Sequence, residues 1–453
     1  MFLTKLLIPS KQQNKFLEEE RITLREKQDR TLATDVKSVL SCRQWIQAKT
    51  NNTLDTTRIL GIVAVAKGAE NYLPYTIPKI IQQISEVGMM ADIIIGLNNG
   101  FECSDVINRF ALLSEIQIIH LYTEEKLANN VPAQIFDNVI CQGRTYCLSN
   151  IELPQCRHRI FVMHQKEGQH SAGKIRVLGD IYGSLLLKSI ENGWIPPAIL
   201  VTFDAESQFL VEQNDSVINL ESNGLKLIVN QLQNHPEIDI LGTRIKSAIY
   251  QKAVLDGIEV LMPNFSEEVP PIHWFLDIVY GRYRGYQCKP GGGTVGRTDA
   301  IISLLAVISE TYPGKGEDAI LTVLAKHADF IGDIFLDVIC TNKIPCITDM
   351  TMDQPPKKAW VEQIYRWIAI NQTLKLLYGE HNIRIINGGF PWFIVTKPIK
   401  FWKRAMRNEK ITLYIVFKKL IFLAIAFVFF RQICKRSLDN PEVIQGNRAQ
   451  AVW

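Results

Sequence analysis

Ile59-Leu60-Gly61-Ile62-Val63-Ala64-Val65-Ala66 is the stretch of sequence that decides the fold. An unbroken apolar run of this length, rich in β-branched residues, is typical of a strand that is buried on both faces. Apolar residues with helical spacing follow between Leu73 and Val87, and a second apolar run, Ile93-Ile94-Ile95, leads to the turn sequence Asn98-Asn99-Gly100. A strand, a helix and a strand in this order predict a mostly parallel sheet flanked by helices.

The same alternation continues along the chain. A helix at 106–113 and a strand at 116–121 complete the first unit, and the weak periodicity of 123–170 predicts a long irregular insertion. A helix at 174–190 then leads into a strand at 198–203. Because a further helix and strand are predicted at 225–232 and 238–245, the pattern favours one large α/β domain.

The composition is that of an ordinary globular protein. The chain has 453 residues, of which 47% are hydrophobic and 21% are charged. The net charge of +4 is too small for a protein whose main activity is to coat nucleic acid. The nine cysteines are odd in number and scattered, which argues against a disulfide scaffold and indicates a reducing compartment.

Two acidic motifs lie where an α/β fold binds its ligands. Asp204-Ala205-Glu206 directly follows a predicted strand, and ligands of open sheets bind at the carboxyl ends of strands. Two carboxylates there can share Mg²⁺ or Mn²⁺ with substrate phosphates, although an exposed acidic turn is the simpler interpretation. Glu317-Asp318 opens a predicted helix after a glycine-rich turn. These two acids either stabilise the helix terminus or supply a general base.

A third motif is Gln363-Ile364-Tyr365-Arg366-Trp367. The spacing puts Gln363, Arg366 and Trp367 on one helix face. An arginine can hold a diphosphate with two hydrogen bonds, and a tryptophan offers a flat surface to a sugar ring. The alternative is an amphipathic helix with a buried tryptophan and a surface arginine.

The three motifs, in this order, resemble those of family 2 glycosyltransferases, and more closely those of the cellulose, chitin and hyaluronan synthase branch. The resemblance covers roughly 59–370 and includes Gly173-Lys174 with Leu178, and the small-residue segment 291–297. It implies a GT-A-type fold and a polysaccharide-type hexosyltransferase. The implied reaction is metal-dependent, with Mg²⁺ or Mn²⁺, and inverts the sugar that passes from a nucleoside-diphosphate sugar to a glycan or lipid-linked acceptor.

The resemblance also implies a role for each matching residue. Asp318 would be the catalytic base, and Asp204 and Glu206 would hold the metal. Two further groups would bind the substrates. The nucleotide sugar would contact Glu70, Asn98, Lys174, Asp204, Gln363 and Arg366, and the acceptor would contact Gly292, Gly293, Glu317 and Trp367.

Other interpretations stay open at this point. Glu206 stands where the family has a second aspartate, and Asn98 stands near another expected aspartate. Both differences fit a catalytically inactive protein of the same fold that binds a nucleotide sugar or a glycan. The segment 291–298 fits a phosphate-binding loop of a nucleotide hydrolase if Arg297 replaces the usual lysine. A zinc site is not expected, because the relevant spacing fits no usual structural site; the candidate ligands are Cys156, His158, His164 and His170.

The sequence predicts three parts: a charged helical arm at 1–54, the transferase domain at 55–395, and a tail at 396–453. The tail begins with clustered lysines, arginines and aromatic residues and continues with apolar runs at 411–417 and 420–430. Both runs are shorter than the ~20 residues that span a bilayer, so an interfacial membrane anchor is favoured slightly over a span. A buried core helix is the alternative. The expected location is a membrane surface, with the catalytic domain in the cytoplasm.

Overall fold

The computed structural model describes residues 11–66, 68–98, 103, 106–107, 110, 115–122, 148, 157–164, 174–213, 217–255, 257–264, 293–311, 317–343, 373–379 and 381–383. Several predicted features lie outside these residues: most of the helix at 106–113, the tail at 396–453, and Gly292, Gln363, Arg366 and Trp367. Within the described ranges, no helix combines the length and the apolar character that crossing a membrane requires.

Eleven strands are present in the part of the chain that the structure describes. They are β1 (Asp55–Val65), β2 (Met90–Leu97), β3 (Ile116–Tyr122), β4 (His158–His164), β5 (Pro197–Phe203), β6 (Phe209–Gln213), β7 (Val217–Asn219), β8 (Ile240–Leu255), β9 (Ile258–Asn264), β10 (Gly293–Arg297) and β11 (Gly332–Lys343). Their order in the sheet is β3-β4-β2-β1-β5-β10-β8-β11-β6-β7, and β9 pairs with β8.

The helices of the described ranges cover both faces of this sheet. They are α1 (Lys11–Lys49), α2 (Leu73–Ser85), α3 (Lys174–Gly179), α4 (Gly224–Asn234), α5 (Thr298–Thr311) and α6 (Glu317–His327). A short 3-10 helix (Glu70–Tyr72) precedes α2, and α3 continues as a π-helix (Asp180–Leu187) that ends in one α-helical turn (Lys188–Glu191).

The first half of the sheet is parallel, as the sequence predicted. β1 pairs in parallel with β2 and β5, and β4 pairs in parallel with β2 and β3. The carboxyl ends of these five strands therefore lie at one edge. β1 is buried on both faces: Leu60 and Ile62 pack with α3, α5 and α6, whereas Ile59 and Val63 pack with α2 and α4.

The prediction of an irregular insertion over 123–170 is wrong for β4. This strand lies between β2 and β3 and is buried along its whole length. Its apolar stretch is only Ile160-Phe161-Val162-Met163, and charged or imidazole side chains flank it on both sides. A run this short carries little periodic signal, so the sequence does not reveal the strand.

The second half of the sheet is mixed. β10 lies antiparallel between β5 and β8, while β11 is parallel to β8 and antiparallel to β6. β8 extends beyond the predicted strand at 238–245 and forms a hairpin with β9. The hypothesis of a phosphate-binding loop at 291–298 is wrong for its described part, because Gly293–Arg297 is a strand paired on both sides. The Arg297 side chain donates to the carbonyl of Leu232 at 2.6 Å.

The charged helix α1 is not a free arm, because part of it packs against the domain. Leu32, Val39 and Ile46, spaced by seven residues, are buried in the same core as α5 and α6. Arg43 forms ion pairs with Asp239 and, at 2.9 Å, with Asp299 at the start of α5. The predicted boundary at residue 54 stays a prediction.

Residues 373–379 and 381–383 pack on the middle of α1. The Tyr378 hydroxyl donates to the buried carboxylate of Asp35 at 2.9 Å. The Gln28 side-chain amide donates to the carbonyl of Lys375 at 3.0 Å. The described segment that follows the Gln-x-x-Arg-Trp motif in the sequence is therefore held by the first helix.

Candidate functional site

A cleft opens beside the carboxyl ends of β1 and β5, between α3, α5 and α6. Its empty space, including the part open to solvent, is about 400 Å³. Apolar side chains form most of its wall, and two acids and one lysine are the charged groups that line it. The lining residues are Ile62, Ala64, Lys174, Leu178, Thr202, Phe203, Asp204, Leu305, Glu317 and Leu321.

The charged groups of the cleft meet at Lys174, the first residue of α3. Its Nζ lies 2.6 Å from Oδ1 of Asp204 and 3.2 Å from Oε1 of Glu317. Because one nitrogen contacts both acids, the two carboxylates lie close together although they are far apart in the sequence. The structure thus brings together three of the residues that the sequence predicted for one site.

Asp204 and Glu206 belong to a tight turn that ends β5. The backbone N–H of Ser207 donates to the Asp204 carbonyl at 2.9 Å, and the Asp204 N–H donates to Oγ of Ser207 at 3.2 Å. Ala205 between the acids is buried, whereas Asp204 and Glu206 are both half-buried. The spacing of the two acids thus puts both side chains on the more open side of the turn.

Two hydroxyl groups fix this acidic turn from below. The carbonyl of Glu206 accepts hydrogen bonds from the Tyr250 hydroxyl and, at 3.1 Å, from Oγ1 of Thr341. Thr341 in turn accepts from the N–H of Gln208 at 2.9 Å. Burial raises the pKa of Tyr250, so its phenol stays a donor at neutral pH. The Tyr250 ring also packs edge-on against Tyr72, with ring centroids 5.2 Å apart.

Sequence reasoning missed Tyr250 and Thr341. Tyr250 lies in the part of β8 that leaves the main sheet to pair with β9, and Thr341 lies near the end of β11. Neither residue belongs to a local motif, and both reach the turn only through strand pairing across the sheet.

Glu317 is the first residue of α6, and Asp318 is the second. An acid at this position interacts favourably with the helix dipole, so the simpler structural role is compatible with the geometry. The pairing of Glu317 with Lys174 shows that the helix terminus faces the cleft. The side chain of Asp318 lies outside the described part of the structure, and its role as a base stays a prediction.

Asn98 and Glu70 lie at the same edge of the sheet. Asn98 directly follows β2, and its Oδ1 is buried with no hydrogen-bond partner among the described residues. Glu70 follows β1, and its carboxylate accepts from the backbone N–H of Gly68. Both positions are compatible with a substrate contact. Glu70 also has a structural role, because its hydrogen bond with Gly68 stabilises its own loop.

Gly293 opposes Phe203 in the pairing of β10 with β5, one residue before Asp204. A β-carbon at this position would lie 2.7 Å from Sγ of Cys340 and 3.0 Å from Oγ1 of Thr243. Close packing is thus a second reason for a glycine here, beside the predicted acceptor contact. Burial raises the pKa of Cys340 to about 12, so this thiol beneath the acidic turn stays protonated and is not a nucleophile.

The histidines of β4 have structural partners. Nδ1 of His158 accepts from the N–H of Ala91 at 2.9 Å, and His164 contacts His120 at 2.9 Å between ring nitrogens. Cys156 and His170 lie outside the described residues.

The donor set of the cleft fits Mg²⁺ or Mn²⁺. Within the described ranges, no three His, Cys, Asp or Glu side chains are grouped so that they could hold a metal ion. Ions that bind together with substrate phosphates need only one or two carboxylates from the protein. Asp204 and Glu317 already converge on one cation, the Lys174 ammonium, and Glu206 lies in the same turn. Their hard oxygen atoms suit these metals.

No known protein-family model matches the chain, and no curated protein matches its sequence. Among solved structures, a mannosyltransferase from Pyrobaculum calidifontis in complex with GDP-Man and Mn²⁺ is 10% identical, with a TM-score of 0.39 over 91% of this chain and 95% of that one. TarS 1–349 of S. aureus is 12% identical, with a TM-score of 0.30 over 73% and 69%. GalNAc-T7 with UDP, GalNAc and Mn²⁺ is 10% identical, with a TM-score of 0.33 over 76% and 57%.

Proposed function

We propose that this protein is a metal-dependent, inverting glycosyltransferase that uses a nucleoside-diphosphate sugar. The observation that supports this proposal most is the meeting of Asp204, Lys174 and Glu317 in one cleft. The resemblance to family 2 glycosyltransferases implies a substrate or metal contact for each of these three residues. They converge at the carboxyl edge of parallel strands, which is where an α/β fold binds its ligand.

The charged groups of the cleft, together with Glu206 in the neighbouring turn, would act in sugar transfer. Asp204 and Glu206 would hold Mg²⁺ or Mn²⁺, and a metal bound there would neutralise the negative charge of the departing diphosphate. Lys174 would contact the same phosphates as a point charge. We assign the same role to Gln363 and Arg366 from their sequence motif.

The acceptor would enter from the side of α6. Asp318 would accept the proton of the acceptor hydroxyl while the hydroxyl oxygen bonds to the anomeric carbon and the bond from that carbon to the diphosphate breaks. Attack opposite the leaving group inverts the anomeric configuration. Trp367, Glu317 and the backbone around Gly292 and Gly293 would position an acceptor sugar. A glycan or lipid-linked acceptor fits the basic and apolar tail, which we propose lies on the cytoplasmic surface of a membrane.

The proposal is tested with the full-length chain in two steps. A thermal-shift panel of nucleoside-diphosphate sugars, with and without Mn²⁺, identifies the donor. Release of nucleoside diphosphate from that donor then reports turnover. We expect Asp204→Asn to lower turnover on the order of a hundredfold or more, since it removes a charge that would bind the metal. Asp318→Asn should have a comparable effect, because it removes the base.

The control is Asp55→Asn, at the opposite end of β1. In the described part of the structure, the carboxylate of Asp55 accepts hydrogen bonds from the backbone N–H and the hydroxyl of Thr57. This variant should retain full turnover. Stabilisation by a donor without turnover in the wild type would favour the inactive sugar-binding protein instead. Failure of every donor to stabilise the protein, with or without Mn²⁺, would refute both functions.

A further inference from the structure

We propose that the Lys174 ammonium is a resident cation of this cleft, which competes with the divalent metal for Asp204 and afterwards pairs with the donor diphosphate. This inference rests on the proposed function, because it concerns the order in which one site exchanges its charges. It goes beyond a phosphate contact by Lys174, since it assigns this residue a second set of partners in the protein without substrate.

The geometry of the free cleft carries the inference. Lys174 Nζ contacts Asp204 at 2.6 Å and Glu317 at 3.2 Å, which are distances of charge-assisted hydrogen bonds. The three side chains are only 17%, 26% and 16% exposed, so water screens these contacts less than it screens surface pairs. The ammonium thus lies against Asp204, one of the two carboxylates that would hold the metal ion.

An ammonium and a divalent cation cannot both stay beside the same carboxylate without strong repulsion. Two positive charges a few ångströms apart in a partly buried site repel by more than the thermal energy. Lys174 has a flexible four-carbon stem, and its three N–H donors have no fixed planar geometry. It can therefore leave Asp204 without any movement of the backbone.

An ammonium that leaves Asp204 loses one of its two carboxylate contacts, and another anion can replace it. The diphosphate of the donor would supply one, since it carries negative charge and must lie near the metal. The exchange keeps the charge of the cleft balanced in both states: lysine with carboxylates before binding, and lysine with phosphate afterwards. Metal and diphosphate would consequently strengthen each other's binding through Lys174, and this coupling is reciprocal.

The decisive experiment measures Mn²⁺ binding to the free protein without any nucleotide. Electron paramagnetic resonance of unbound Mn²⁺ gives the dissociation constant for the full-length wild type and its variants. Lys174→Met keeps the apolar stem and removes the charge, so we expect Mn²⁺ to bind roughly tenfold more tightly. The same variant should bind UDP and GDP more weakly than the wild type when Mn²⁺ is left out.

Three further variants make the outcome unambiguous. Lys174→Arg keeps the charge and should bind Mn²⁺ within about twofold of the wild type. Lys188→Met removes a lysine that pairs with Glu191 on the exposed side of the same helix, and should change nothing. Lys174→Gln is a second neutral replacement, which replaces Lys174→Met if that variant unfolds.

Unchanged or weaker Mn²⁺ binding in a folded neutral variant would overturn the inference. A failed transferase proposal would appear differently, as an absence of donor binding or turnover in the wild type. Because the Mn²⁺ measurement contains no sugar donor, the two failures are separable.

Discussion

The buried ion cluster at the amino ends of β1, β2 and β4 makes a quantitative prediction possible. Oδ1 of Asp92 accepts from Nε of Arg58 at 2.9 Å and from Nε of Arg159 at 2.6 Å. A second nitrogen of Arg159 donates to Oδ2 of Asp92. The three side chains are 0%, 1% and 3% exposed, respectively. The cluster lies at the edge of the sheet opposite the cleft, so it tests stability separately from function.

Asp92→Asn keeps the shape of the side chain and removes its charge. In the wild type, the carboxylate of Asp92 compensates two buried guanidinium groups, and the variant removes that compensation from both. Breaking a buried pair in this way costs about 3–5 kcal/mol, because the remaining charge is desolvated and uncompensated. The further contacts of Arg58 with the carbonyls of Ala91 and Arg157 hold that side chain in place, so it cannot easily turn to water.

Urea unfolding followed by tryptophan fluorescence measures the change. We expect the midpoint to fall strongly for Asp92→Asn, whereas Asp55→Asn, the half-buried control on β1, should lose less than about 1 kcal/mol. The folded fraction of Asp92→Asn should still bind nucleotide like the wild type. A loss below about 1 kcal/mol in Asp92→Asn would refute the reasoning, since it would mean that the two arginines do not need this carboxylate.

Three further predictions concern single side chains. Gly293→Ala should cost about 1–3 kcal/mol in thermal unfolding, because the new β-carbon meets Cys340. Combining it with Cys340→Ala should recover part of the loss, and an unchanged melting temperature in Gly293→Ala would contradict this. Tyr182→Phe should be neutral or stabilising by up to about 1 kcal/mol, since the buried hydroxyl has no partner among the described residues, and a larger loss in urea unfolding would disprove it. Burial lowers the pKa of His158 below its usual 6.5, so the unfolded chain takes up a proton first and the free energy of unfolding should fall as the pH drops through about 6.5. His158→Gln should lose less stability than the wild type between pH 7.5 and 5.5, and an equal loss would argue against this origin.

The sequence predicted most of the parallel half of the fold because four of its five strands, β1, β2, β3 and β5, carry a local signal, whereas β4 does not. β1, β2 and β5 each contain an apolar run, and polar residues such as Asn98 and Asp204 follow the ends of these strands. The mixed half was harder to predict, since the pairing of β10 and β11 depends on contacts between distant parts of the chain. The hairpin of β8 and β9 is local and was nevertheless missed, although Asp256-Gly257 between its strands is a sequence typical of a hairpin turn.

The residues of the candidate site differ in the same way, since some carry a local sequence signal and others do not. The two acids of the cleft lie close together, as expected for residues that end or begin an element at the binding edge of the sheet, and their roles stay predictions. The polar contacts beneath them were not predicted, because Tyr250 and Thr341 carry no local motif. The interaction of Lys174 with the two acids depends on how three elements pack, which no spacing along the chain reveals.

The contact between α1 and residues 373–379 has a consequence for biosynthesis. The ribosome makes α1 long before its partner segment, because the partners of Gln28 and Asp35 lie 347 and 343 residues further along the chain. Until these residues are translated, the polar groups of α1 must remain hydrated or be shielded by a chaperone, so this early helix reaches its final environment late.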